Sequence, residues 1–210
     1  MPLVRNPPGT PPPADIPPVA AAVMDALAHG TDEQRWSAAR AAAELPGCAP
    51  ALAAALAREK APRVREAIVT SLARIATPDS VAALLPCLRS DDAHVRMEAT
   101  DALTAMKDAA WPYLGELLRD SDADVRMLAC GLVRNMPNES AVRLLCELLE
   151  SEPEPNVCAA AVDALAEIGG TEALPVLARC EQRFRATPFL AFAIKMVVDR
   201  IRAQAAPPRA

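Results

Sequence analysis

The sequence predicts an all-α chain, a right-handed α-solenoid of about six helical hairpins. Three observations carry that expectation. Ala and Leu, the strongest helix formers, dominate a chain that is 52% hydrophobic but only 3% aromatic. Runs of β-branched residues of strand length are missing. One helical apolar pattern also recurs at nearly constant spacing from residue 34 onward. With 210 residues the chain is long enough to bury a continuous core.

The elements follow in chain order. Residues 1–18 hold Pro2, Pro7, Pro8, Pro11, Pro12, Pro13, Pro17 and Pro18. Missing N–H donors and fixed φ exclude helix and sheet ladders, so a disordered or polyproline-like N-terminal arm is expected. Pro8 and Pro11 have PxxP spacing, which leaves a ligand role open beside that of a plain tail. Residues 19–204 form the expected solenoid. Residues 205–210, with Pro207 and Pro208, form a C-terminal tail.

Within the solenoid, Gln34-Arg35-Trp36-Ser37-Ala38 leads to Ala42 and Leu45. Val64-Arg65-Glu66-Ala67-Ile68 leads to Leu72 and Ile75. Val95-Arg96-Met97-Glu98-Ala99, Val125-Arg126-Met127-Leu128-Ala129 and Val157-Cys158-Ala159-Ala160-Ala161 repeat the pattern. The first positions are 34, 64, 95, 125 and 157, giving steps of 30, 31, 30 and 32; a further step of 32 places a degenerate sixth copy at Phe189. In each copy the apolar residues share one helical face, as Val64, Ala67, Ile68, Ser71, Leu72 and Ile75 do. A second amphipathic segment precedes each, at Val81 to Leu88, Trp111 to Leu118, Val142 to Leu149 and Leu174 to Cys180. Asp79-Ser80, Asp91-Asp92, Ser121-Asp122 and Asn138 are candidate helix caps. Pro62, Pro78, Pro137, Pro153 and Pro188 punctuate the turns. One such hairpin cannot bury its apolar face alone, whereas a stack of them can.

The pattern Asp-x-x-x-Val-Arg-x-x-Ala, present from Asp122 to Ala129 and repeated from Asp91 or Asp92 to Ala99, resembles HEAT repeats. The short period is similar to the subtype first recognised in phycobilisome lyases. The resemblance covers about residues 19–204 and implies a fold more than a function. It also implies that the Arg column (Arg35, Arg65, Arg96, Arg126) pairs with turn aspartates, with Asp92 and Asp122 standing four residues ahead of Arg96 and Arg126. An anion-binding row is the other reading of that column.

Composition narrows the function classes. A net charge of −5 and a pI near 5.2 argue against a general nucleic-acid binder, which needs a basic surface. The longest apolar stretch, Phe189 to Val198, is interrupted by Lys195 and too short to span a bilayer. No secretory pattern opens the chain, so a cytoplasmic protein is expected, and the Ala, Arg and Pro richness points to a bacterial, GC-rich source. The six cysteines lack a CxxC pair and read as reduced, mostly buried thiols. The two histidines, His29 and His94, have no Cys or His at metal spacing, and neither a P-loop nor GxGxxG occurs. No catalytic set, metal site or cofactor is therefore expected.

A partner-binding surface is expected instead. Carried through the repeats, the face opposite the core gives two columns. One holds Trp36, Glu66, Met97, Met127, Ala159 and Ala191; the other holds Ala39, Val69, Thr100, Cys130, Val162 and Ile194. As a concave groove these columns are unusually apolar and suit an extended segment or amphipathic helix. In the last helix, Phe189 and Phe192 are expected on the core. Leu190, Ile194, Val198 and Ile201 then form an outward stripe, a groove extension or homodimer contact where a polar cap belongs. Charge is segregated, acidic from Glu139 to Glu172 and basic from Arg179 onward. These features predict a non-catalytic protein-interaction scaffold or adaptor. The alternative is an enzyme accessory resembling bilin lyase subunits, handling a tetrapyrrole or client protein, with Cys130 as its reactive group. A third reading is a phosphopeptide or nucleic-acid binder using the Arg column.

Overall fold

The computed structural model describes residues 18–136 and 139–205. The proline-rich arm, the turn residues Pro137 and Asn138, and the prolines of the C-terminal tail lie outside the described residues.

Twelve α-helices form six consecutive hairpins among the described residues. They are α1 (Pro18–His29) with α2 (Asp32–Ala42), α3 (Ala49–Leu56) with α4 (Pro62–Ile75), and α5 (Pro78–Leu84) with α6 (Ala93–Ala105). These are followed by α7 (Lys107–Leu117) with α8 (Ala123–Asn135), α9 (Glu139–Ser151) with α10 (Pro155–Ile168), and α11 (Leu174–Arg183) with α12 (Pro188–Ala205). The even helices stack on one another in order from α2 to α12, and the odd helices form the second layer, with α1 on α3, α3 on α5, α5 on α7 and α9 on α11. One core of buried apolar residues runs the length of this solenoid.

Local chemistry sets the helix ends. Thr31 and Gln34 form a reciprocal capping box at α2, and Thr77 accepts from the Ser80 N–H at α5. Asp92 and Asp122 accept from the N–H groups of His94 and Asp124, starting α6 and α8. Pro62, Pro78 and Pro155 occupy the first turns of α4, α5 and α10, where a missing N–H costs nothing. Pro86 stands two residues past the end of α5, and the chain there tightens into a 3-10 helix over Leu85–Arg89. Ala76 ends α4 in the left-handed region, at φ 52°, a conformation usually left to glycine.

Each even helix divides into four faces, counted from the first position of its repeat. Residues at the first position, +4 and +8 turn to the odd layer, as Val64, Ile68 and Leu72 or Val125, Ala129 and Val133 do; all are buried. The +1 and +5 positions turn to the following hairpin, since Arg35 reaches Glu59 and Arg65 reaches Glu98. The +3 and +7 positions turn to the preceding hairpin. Left open are −1, +2 and +6 and, a turn farther on, +10 with +9 beside it.

This division corrects the second expected column. Val69 is 7% exposed, and Ala39, Cys130, Val162 and Ile194 are fully buried rather than lining a groove. At roughly 100° per residue, the +5 position lies about 60° around the helix from +2, enough to place it under the next hairpin.

The sixth copy is corrected as well. Leu190, Ile194, Val197 and Ile201 are the buried residues of α12, so its first position is Leu190, a step of 33 from Val157. Phe189 and Phe192, expected in the core, are 52% and 66% exposed. Leu190 and Ile201, expected on an outward stripe, are inside, and Val198 packs half-buried against the core. The positions that would face a seventh hairpin are then Ala191, Lys195 and Arg202, the last two exposed, so the C-terminal end is closed by polar groups after all. The apolar end is the other one. Val19, Ala22, Val23 and Ala26 of α1, with Ser37, Ala38 and Ala41 of α2, line an open groove of about 580 Å³.

Candidate partner-binding face

The Arg column is an internal ladder, but its acids are not the expected aspartates. Arg126 is 9% exposed and grips Glu152 through both carboxylate oxygens, Nε to Oε2 at 2.7 Å and a terminal nitrogen to Oε1 at 2.8 Å. Its remaining nitrogen donates to the carbonyls of Asp120 and Ser121. Arg35 holds Glu59 in the same fork, at 2.7 and 3.0 Å, and also reaches Asp32 and the Gly30 carbonyl. Arg65 reaches Glu98 at 3.0 Å, and Arg96 donates to the Ser90 carbonyl. Asp92 and Asp122 are committed to capping their own helices, and no ion pair joins them to Arg96 or Arg126.

Glu59 and Glu152 were legible in principle. Both stand five residues before the first position of a repeat, a place filled by Ser90 and Asp120 in the repeats between. Each of these four side chains accepts the backbone N–H two residues on: Ala61 for Glu59, Asp92 for Ser90, Asp122 for Asp120 and Glu154 for Glu152. Burial works to raise the Glu152 pKa, yet the Arg126 fork and the Glu154 N–H outweigh it and hold the carboxyl below its ordinary range. The Arg35 fork likewise lowers Glu59, against burial. With these guanidiniums spent inside the fold, the column offers no free anion-binding row.

The segregated charge is also largely spent on stitching hairpins together. Glu147 meets Arg119, Glu150 meets Arg179, and Asp163 and Glu167 share Arg134. Arg183 donates back to the carbonyls of Leu149 and Glu150, and Arg200 to those of Leu165 and Gly169.

What faces outward along the even layer is the first expected column, with Phe192 in place of Ala191 under the corrected register. The +2 positions are Trp36, Glu66, Met97, Met127, Ala159 and Phe192. Met97 is 52% and Met127 37% exposed, and Phe192 is joined on the same face by Phe189 at −1 and Met196 at +6, both more than half exposed. Gly131, the +6 residue beside Met127, has open space where a Cβ would stand. Sequence reasoning placed Trp36, Glu66, Met97 and Met127 on this face but assigned Phe189 and Phe192 to the core. The signal that separates the two is the +11 position, apolar as Ile75, Met106, Met136 and Ile168 in earlier repeats: counted from Phe189 it falls on Arg200, counted from Leu190 on Ile201.

At the N-terminal end, Trp36 sits between two guanidiniums, Arg40 at 4.7 Å and Arg63 at 4.4 Å from the ring centre. They line a cleft of about 400 Å³ with Glu66, Thr70 and Arg74. The cysteines add no reactive group to the face. Cys130 is fully buried, and burial pushes its thiol up to about 12, which removes it as a nucleophile for any tetrapyrrole chemistry. His94 is exposed and lies 3.3 Å from Glu98, the acid already engaged by Arg65. No helix among the described residues is long and apolar enough to cross a membrane.

Comparison with known proteins agrees with this architecture. The family model for HEAT repeats matches residues 16–104, 49–129 and 111–183. No curated protein matches the chain in sequence. Among solved structures, one described as the structural basis of microtubule plus-end tracking by XMAP215, CLIP-170 and EB1 has a TM-score of 0.62 at 16% identity, covering 90% of this chain and 92% of that one. An engineered protein has a TM-score of 0.43 at 22% identity, covering 90% and 98%. The complex of CpcE and CpcF of phycocyanin lyase from Nostoc sp. PCC7120 has a TM-score of 0.45 at 20% identity, covering 85% and 74%. At 16% identity the likeness to the microtubule plus-end-tracking structure is one of fold.

Proposed function

The chain belongs to the HEAT-repeat family, and from that premise we propose that it is a non-catalytic protein-interaction scaffold that receives a partner on the open face of its even helices. The observation that carries this reading is the concentration of exposed large apolar side chains. Met97, Met127, Phe189, Phe192 and Met196 all occupy the narrow sector that the stacked hairpins leave uncovered, whereas neighbouring sectors of the same helices are sealed. Exposed Met and Phe in one band supply adaptable contact area of the kind that interfaces use.

The test is affinity capture from native lysate, with Met127→Glu as the control bait. Because Met127 lies at the surface, the substitution should move stability by no more than about 0.5 kcal/mol and leave helicity intact. The expected outcome is a protein enriched by the parent chain and lost with Met127→Glu. Equal capture by both baits removes this face as the docking site.

A further inference from the structure

The charges bordering the apolar band are one-sided, and their chemistry names the kind of partner. Over hairpins three to six, the open positions beside Met97, Met127, Phe192 and Met196 carry Asp101, Asp124, Asp163, Glu167 and Asp199 against a single Arg134. All five carboxylates are exposed. Arg134 is already shared between Asp163 and Glu167, at 2.9 and 3.4 Å, and none of the other three enters an ion pair among the described residues. The basic residues of the last hairpin do not offset this. By register, exposed Lys195 and Arg202 fall at the positions that would face a seventh hairpin, and Arg200 is tied to the carbonyls of Leu165 and Gly169.

Resting on the reading of this face as a docking surface, we propose that its occupant is a basic amphipathic helix. The helix lays its apolar stripe on Met97, Met127, Phe192 and Met196 and its flanking Lys or Arg side chains on Asp101, Asp124 and Asp163. Apolar burial supplies the affinity, and the acidic rim selects against acidic helices and speeds encounter. Methionine floors adapt to varied side chains, so the rim rather than the floor sets the specificity. Gly131, one turn on from Met127, puts no side chain of its own on the strip, and nothing lies within 4 Å of where its Cβ would stand.

The probe is a fluorescent leucine/lysine amphipathic peptide of about four helical turns, titrated into the full chain beside a leucine/glutamate counterpart and a scrambled leucine/lysine control. Preferential binding of the leucine/lysine helix is expected, weakened about tenfold by Asp101→Lys with Asp124→Lys and comparably by Met127→Ser with Phe192→Ser, and declining as salt rises. Equal binding of the scrambled peptide means charge attraction without a groove and overturns the proposal, as does failure of the leucine/lysine helix to bind. If the leucine/glutamate helix binds instead and Met127→Ser with Phe192→Ser releases it, the face remains a docking surface and only its charge preference is refuted. Binding that ignores both double variants refutes the face itself.

Discussion

Among the described residues Arg126 and Glu152 form the most buried ion pair, and its two halves come from adjacent hairpins. Two charges withdrawn from water are tolerated here because the fork, the Asp120 and Ser121 carbonyls and the Glu154 N–H satisfy nearly every polar atom. Removing one partner leaves the other uncompensated. Glu152→Gln is expected to cost about 3–5 kcal/mol in urea denaturation, whereas the apolar pair Arg126→Met with Glu152→Leu should cost far less. The same pair sets an acid limit. Glu152 and Glu59 titrate below their ordinary values when folded, so their contribution is complete above the unfolded carboxylate pKa and is lost as pH falls through the folded one. Thermal stability should therefore decline as the pH is lowered below about 4.5, and the Glu152→Gln chain should decline less steeply.

At the scale of the helix, each even element is asked to satisfy neighbours on three sides and leave one narrow strip to solvent. That demand explains why alanine recurs at +4, as Ala38, Ala99, Ala129 and Ala161 show: small buried side chains let the packed helices approach closely. It also explains where an exception is cheap. Gly131 lies mid-helix in α8 on the open strip with nothing near its missing Cβ. Gly131→Ala is expected to raise the unfolding free energy by roughly 0.5–1 kcal/mol by removing backbone freedom from the unfolded chain, measurable as a higher midpoint in urea. A substitution as large as Phe at the same place should leave the fold intact and obstruct a helix lying along the strip.

Across the whole molecule, the extensive contacts among the described residues run from each hairpin to its neighbours, so stability is close to a sum of hairpins and the interfaces between them. Native-state hydrogen exchange should show α1, whose outer side is the open apolar groove, exchanging fastest among the helices. Slowest exchange is expected in α8 and α10, which sit on both sides of the Arg126–Glu152 pair. Uniform protection across all six hairpins would refute this graded picture. The sequence by itself determined the architecture, because the three-to-four-residue apolar period and the thirty-residue repeat leave stacked hairpins as the only way to bury Val64, Ile68, Leu72 and their counterparts. It also determined that Met97 and Met127 lie off the core, since the +2 residue of those repeats falls opposite the buried arc. Tertiary structure decided the rest. Whether +5 faces solvent or a neighbour depends on how far the next hairpin wraps around each helix, and whether Phe189 or Leu190 opens the sixth repeat depends on packing against α10 after a loop one residue longer. It also assigned the Arg column to Glu59, Glu98 and Glu152, because a guanidinium can span to the adjacent hairpin and the capping aspartates were already engaged by the backbone N–H groups of their own turns.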